Sequence, residues 1–455
     1  GAENVKALFK NSHLCSSIPF VKFALGYAFG LPAKALTLYD KDDSGGGPVP
    51  YPGSTVADHN RIDYPVYATL VRFLEGPGLL PFWRRFENYV QVQMESMREE
   101  FGPEWEYRDD LMKFVGDAAS YSFVNALCGK YLLALNPTFM RDYWDFDRNL
   151  QTYLQGIPWF LAPKAYAARR RVLKATEVWQ QYARDNYTES CKDADGDDPF
   201  WGSSYFRERH GLFLKMDGFD HRAIACQDFG SIWAGRNAIT STEWAVFELY
   251  RDPELLAAVR EEVDAATIVT HDESDDYTRF DIQKLLRSPI LQAVYAETLR
   301  LRMHFYLIRM PDRVGMNIHN WIIPKQKVVV ACTTVAHMDP TVWNTNNEHP
   351  VDQFWIGRYL KYPAKNAPDQ SPTFSTKEFD GSWIPYGGGP RQCPGRHFAK
   401  RQILITMAYM VRFFDVEILG DGKDVKEDFT LWGYGSGVSH PAGKVPMRIR
   451  RRPGY

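Results

Sequence analysis

The stretch from Trp383 to Arg396 reads Trp-Ile-Pro-Tyr-Gly-Gly-Gly-Pro-Arg-Gln-Cys-Pro-Gly-Arg. It holds too much glycine and proline to continue as strand or helix. An amphipathic run from His397 to Phe414 follows directly, so Cys393 stands at the mouth of an expected helix. A thiolate there is favoured by the positive end of the helix dipole and by unpaired backbone N–H groups. Three consecutive glycines let backbone approach a flat ligand where side chains would clash. Arg391, two residues before the cysteine, is placed to meet an anionic group on that ligand. A lone cysteine beside a turn is more often a buried structural residue, so its neighbours decide the reading.

The rest of the chain must supply a body around that loop. Of 455 residues, 45% are hydrophobic and 24% charged, enough for a large core in an ordinary globular protein. The formal net charge of −2 gives no reason to expect nucleic acid as a partner. The six cysteines are scattered without a C-x-x-C pair; this predicts reduced thiols, with neither a disulfide frame nor a structural zinc. The most apolar early stretch, Ile18 to Leu38, is broken by Lys22, Gly26, Gly30, Pro32 and Lys34, so no membrane span is expected.

Helical spacing covers 81–100, 109–127, 137–154 and 165–190. Asp217 to Arg251 is the longest candidate helix, apolar on more than one face and therefore expected to be buried. Asp252-Pro253 starts another helix with proline in its favoured first turn, and Ser288 to Arg302 is a further one. Residues 2–62 read as short strands and loops, 192–199 and 271–277 as acidic loops, 322–324 and 328–331 as short strands. The expected body is mainly α with small β-sheets, in one domain.

The loop at Cys393 resembles the heme-binding loop of the cytochrome P450 (heme-thiolate) family: an aromatic residue, glycines, then Arg, any residue, Cys, any residue, Gly. Tyr386 stands at the aromatic position, and Gly387, Gly389, Arg391, Cys393 and Gly395 match. The resemblance implies heme b (iron protoporphyrin IX) as cofactor, Cys393 as its axial thiolate, and Arg391 and Arg309 as partners of its propionates. Glu297-Thr298-Leu299-Arg300 matches the family's E-x-x-R, and Arg358 in Phe354–Tyr359 is expected to complete a buried triad. Such a triad serves folding and heme retention, because breaking a buried charge network costs about 3–5 kcal/mol. A helix near Trp83-Arg84-Arg85 is expected beside the heme, and Arg396, Lys400 and Arg401 on the face that docks a reductase.

The long helix departs from the family's common acid–alcohol pair. It reads Trp233-Ala234-Gly235-Arg236-Asn237-Ala238-Ile239-Thr240. Anchored on Ala234-Gly235, Asn237 takes the acid's place and Ala238 the alcohol's. Counting back from Pro253, the preferred alignment, puts Arg236 in the acid's place and Asn237 in the alcohol's. Asn in that place resembles the branch with cholesterol 7α-hydroxylase, sterol 12α-hydroxylase and prostacyclin synthase. Asn237 can hydrogen-bond but has no proton to ionise near neutral pH. Arg236 is expected either to clamp a substrate carboxylate bidentately or to point elsewhere. Ala234, Thr240, Phe305, Leu307, Ser436 and Val438 are expected to line the substrate pocket.

The resemblance implies a monooxygenase that oxidises a lipophilic small molecule with dioxygen and electrons from NADPH–cytochrome P450 reductase. The alternative is a heme-thiolate isomerase, dehydratase or peroxygenase that needs no reductase. The family's eukaryotic members imply a monomer on the cytosolic face of the endoplasmic reticulum membrane, held by an anchor that this sequence does not include.

Overall fold

The computed structural model describes residues 1–271, 276–344, 348–364, 371–430 and 433–454. Helices dominate. In chain order we label α1 (Ala2–Lys10), α2 (Ile18–Tyr27), α3 (Ala33–Lys41), α4 (Asp63–Leu74), α5 (Leu79–Glu100), α6 (Leu111–Cys128), α7 (Phe139–Arg148), α8 (Pro163–Asn186), α9 (Ser204–Phe213), α10 (His221–Trp233), α11 (Arg236–Arg251), α12 (Pro253–Ala266), α13 (Pro289–Arg302) and α14 (Arg396–Phe413). Their starts follow capping chemistry. Asp110, Asp220 and Asp252 accept backbone N–H bonds from the first turns of α6, α10 and α12, each satisfying orphan donors.

The stretch 2–62 is strand and loop only in part: 2–41 holds α1, α2 and α3 with the strand Cys15–Ser16 (β1), and 42–62 is loop apart from one short turn at Asp58–Asn60. Both apolar and charged residues there recur at helical spacing, and the Gly and Pro that suggested turns fall between helices. The acidic stretch 271–277 lies between paired strands, Thr267–His271 (β2) and Asp276–Phe280 (β3); residues 272–275 fall outside the described residues. The other acidic stretch, 192–199, is tied down by ion pairs of Asp195 with Arg84, Asp197 with Arg85 and Asp198 with Arg207.

The expected long helix is two, α10 and α11, with Ala234-Gly235 between them. Gly235 is needed for close approach: a Cβ there would strike the ring of Phe123 on α6. The α11 helix lies against α6 and α14, and one continuous core runs from Leu25 to Ile449. The central strand Met303–Pro311 (β4) pairs antiparallel with β1, with Val329–Cys332 (β5) and with Ser436–Val438 (β6). That strand positions the site, since it joins the end of α13 to the terminal turn.

Candidate active site

Cys393 sits immediately before α14, in a loop closed by its own backbone N–H donating to Tyr386 O at 3.0 Å. Burial pushes the thiol above its ordinary value; the backbone N–H groups of Gly395 and Arg396, with the Arg396 charge, pull it back only partly. The helix-mouth argument is therefore right in sign but outweighed. Cys393 nevertheless keeps accessible surface. Cys393 thus combines accessible surface with desolvation by the protein atoms around it. Ionising it there calls for a positive partner such as a metal ion.

The glycines also pack the loop against its protein neighbours. A Cβ on Gly388 would collide with the Phe9 ring of α1, and one on Gly389 would fall 2.7 Å from Phe9 O. Gly387 and Gly389 have φ of +67° and +70°, which glycine adopts without strain. Close approach to α1 is thus one requirement on Gly388 and Gly389. Gly395 needs no such freedom, since a Cβ there would meet only ordinary contacts, among them Cys393 Sγ at 3.7 Å.

The helix against the loop is α4, not the one at Trp83. Tyr67 of α4 donates to Pro390 O and Gln392 O at 3.1 and 3.3 Å. Its ring lies 4.3 Å from the Arg391 guanidinium, and Asp63 pairs with Arg391 at 2.7 Å. Trp83 is instead buried beside Phe398. Arg391 therefore already has an acid partner. Arg309 on β4 does not: it is buried, it pairs with no acid among the described residues, and its Nε has no hydrogen-bond acceptor. A buried guanidinium without an anion is costly, and a propionate is a group that would match it. The accessible, desolvated thiol and this unmatched cation fit a heme.

Tyr386 brings a phenol to the loop, accepting a hydrogen bond from Tyr295 of α13 at 2.9 Å. One turn further along α13, Glu297, Arg300 and Arg358 meet. Glu297 accepts from Arg300 at 2.8 Å twice, from Arg358 at 3.2 Å, from Trp355 N at 3.1 Å and from Tyr359 at 3.1 Å. All three charged members are buried. Tyr359 was not foreseen in this network.

Arg236 does not face a substrate. It is buried, with Nε 2.9 Å from Asp147 Oδ1 on α7, and it donates to Val438 O and Asn237 Oδ1, each at 2.9 Å. Trp233 donates to Asp147 at 2.7 Å and His440 lies 2.5 Å from its other oxygen. Burial pushes Asp147 upward, but Arg236 and then His440 outweigh it and hold it at about 2. The carboxylate clamp is thus overturned: the guanidinium is spent on a carboxylate of the chain itself. No spacing signal could have revealed Asp147 or His440, which come from distant segments.

Asn237 Oδ1 accepts from both Arg236 and the Val438 N–H, the latter at 3.0 Å. Two donors on one atom fix which end of the amide is oxygen. Its Nδ2 donates to none of the described residues. Gly437 faces this amide so closely that a Cβ would collide with it. Of the expected pocket residues, Phe305 and Ser436 are direct partners across β4 and β6, and Ala234 is exposed at the helix break. Leu307, Thr240 and Val438 are buried instead: Leu307 lies against Gly387, and Val438 contributes its backbone.

Two of the basic residues after Cys393 turn inward. Arg396 pairs with Glu75. Lys400 donates to Gln292 at 2.6 Å, and burial followed by Arg401 brings it down to about 8. A cavity of 410 Å³ opens beside the loop, lined by Phe379, Trp383, Tyr386 and Gln392 among others. It shares none of the expected substrate positions.

Comparison with known proteins places these features. The family model described as Cytochrome P450 matches residues 66–444. The cytochrome P450 monooxygenase fsoE of Humicola fuscoatra is 35% identical over 420 residues, covering 87% of this chain and 71% of its own. The cytochrome P450 monooxygenase efuG of Hormonema carpetanum is 32% identical across 99% of this chain and 81% of its own. The human 7-alpha-hydroxycholest-4-en-3-one 12-alpha-hydroxylase is 27% identical over 55% of this chain and 51% of its own.

Proposed function

The chain belongs to the cytochrome P450 family, and from that premise we propose that it oxidises a bulky lipophilic small molecule, of steroid or terpenoid type, with electrons from NADPH–cytochrome P450 reductase. The family's cofactor is heme b, and the two fungal relatives are named as cytochrome P450 monooxygenases. The observation that carries the site reading is the Cys393 thiol, accessible yet desolvated at the head of α14.

When bound, the heme supplies dioxygen activation and the oxidising chemistry. The chain's residues do the rest. Cys393 would hold the heme iron through its sulfur, with the Gly395 and Arg396 amides directed at that sulfur. Arg309 would match one propionate, and Tyr386, Gly387, Gly389, Arg391 and Gly395 shape the loop around the sulfur. Glu297, Arg300 and Arg358 hold the region behind it. On the opposite side, Asn237 presents Nδ2 as a donor for a substrate oxygen or an ordered water, because its Oδ1 is engaged. Arg236 positions Asn237 and has no direct catalytic part. Ala234, Phe305 and Ser436 contact the substrate, with Thr240, Leu307 and Val438 behind them. The chain acts as one catalytic domain and as a monomer. The family reading also carries attachment to the cytosolic face of the endoplasmic reticulum; among the described residues no helix is long and apolar enough to cross a membrane.

Asn237 cannot ionise, which keeps a reductase-free isomerase, dehydratase or peroxygenase as the competing reading. Turnover of a steroid and terpenoid panel with NADPH and reductase, against hydroperoxide alone, separates them. Product that needs NADPH, reductase and dioxygen supports our reading; turnover with hydroperoxide while NADPH, reductase and dioxygen give no product sinks it. For Cys393, the reduced carbon monoxide complex should show thiolate-type absorption that Cys393→Ala abolishes.

A further inference from the structure

Where α8 ends, α9 ends and α10 begins, three nitrogen-bearing side chains converge far along the chain from the Cys393 loop. His210 of α9 is 6% exposed, and neither of its ring nitrogens has a hydrogen-bond partner among the described residues. His221, the first residue of α10, stacks on it at 5.3 Å with the rings 6° from parallel. Arg184, in the last turn of α8, has a buried NH1 that is also without a partner. Trp201 closes another side, its ring 5.1 Å from His210.

A plainer reading is that Arg184 and His210 complement the negative ends of their helices. That reading predicts bonds to last-turn carbonyls, and none is made. Arg184 NH2 donates to the Gln181 side chain, and His210 donates to nothing. The neighbouring acids are spent elsewhere: Asp220 caps α10 through Ala223 N, and Asp185 accepts from Gln181. A buried donor left unpaired costs about 1–3 kcal/mol, and more if charged. Two such donors within electrostatic reach of each other, with the nearby acids already hydrogen-bonded, make an environment suited to a negative ligand. A metal ion is disfavoured by the adjacent guanidinium, and no three-ligand cluster exists among the described residues.

We propose that Arg184, His210 and His221 form a binding site for a small oxyanion of the sulfate or phosphate class. Arg184 NH1 and a ring N–H of His210 would donate to the anion, and exposed His221 would cover it. The groups facing His210 are Arg184 from α8 and His221 from α10, with Asp220 acting on His221 and Asp185 on Arg184. Burial, then Arg184 and His221, bring His210 down to about 4. The free ring is therefore neutral at pH 7, and an anion would draw a proton onto it. Binding should tighten as pH falls.

The test uses the heme-loaded full chain and inorganic sulfate, whose charge does not change in the working range. Sulfate affinity is measured by calorimetry at pH 8, 7, 6 and 5, with chloride as control. We expect tightening of about tenfold per pH unit between 7 and 5, the limit for uptake of one proton. Arg184→Gln and His210→Gln should each weaken sulfate at least tenfold, and His210→Gln should remove the pH dependence. Inorganic phosphate should compete with sulfate at pH 5. Binding without pH dependence, equal binding by the variants, or no sulfate binding overturns the proposal. Should His210→Gln fail to fold, Arg184→Gln, at a half-buried position, decides alone. Heme content and the carbon monoxide spectrum stay constant in both variants, so this result is independent of the active-site reading.

Discussion

Arg236 Nε lies 2.9 Å from Asp147 Oδ1 with both side chains buried, so the guanidinium that sequence comparison places opposite the thiol is already neutralised by its own chain. The pair joins α7 to the start of α11, and through Val438 O it also holds the terminal turn. Three segments far apart in sequence are thereby fixed at one point. The orientation of Asn237 follows, because Arg236 and Val438 N–H both engage its oxygen.

Removing one partner of this pair should be worse than removing both. Asp147→Leu or Arg236→Leu leaves a buried unpaired charge, costing about 3–5 kcal/mol, whereas the double variant exposes no such charge. Urea unfolding of the three proteins should give a coupling of at least 1 kcal/mol. Additive losses would show that the two side chains act separately.

The loop glycines make a second prediction. Gly388→Ala should destabilise by about 1–3 kcal/mol through overpacking, because the new Cβ meets Phe9. Adding Phe9→Ala should recover part of that loss relative to Phe9→Ala alone. If the glycine instead served only close approach to heme, the variant would lose heme affinity and Phe9→Ala would restore nothing.

Glu297→Gln keeps the shape and removes the charge that Arg300 and Arg358 share. We expect a loss of about 3–5 kcal/mol and heme occupancy well below wild type after gel filtration. Wild-type stability and heme content in this variant would dismiss the triad's structural importance.

Glu243 of α11 supplies a pH prediction. Burial, followed by nearby Asp110, raises its carboxyl well above the ordinary range, and it makes no hydrogen bond among the described residues. The folded state binds this proton more tightly than the unfolded chain. Its stability contribution is therefore complete below the unfolded value near 4.5 and is lost as pH rises through the folded value. Gln cannot ionise, so Glu243→Gln should gain on wild type from pH 5 to pH 8, at up to about 1.4 kcal/mol per unit. Denaturation midpoints at the two pH values read this directly; a constant difference would mean the carboxyl titrates normally.

Much of the fold was legible because it is local. The start of α12 at Pro253 follows from a capping Asp and a first-turn proline, and α14 from an amphipathic run after a loop that cannot be helical. The opening helices were missed because the turn signals at Gly30, Pro32 and Gly45 to Pro48 only separate helices or follow them, and they outweighed the helical spacing between.

The sequence by itself determined the family and the cofactor, since a heme-thiolate loop and an E-x-x-R helix are short motifs whose chemistry is carried by adjacent residues. Only the tertiary structure decided what Arg236 does. Spacing along one helix specifies which face a side chain occupies, but not what lies opposite that face. Here the opposite group is Asp147, and a buried cation takes the nearest buried anion because leaving either unpaired would cost more than the contact restrains.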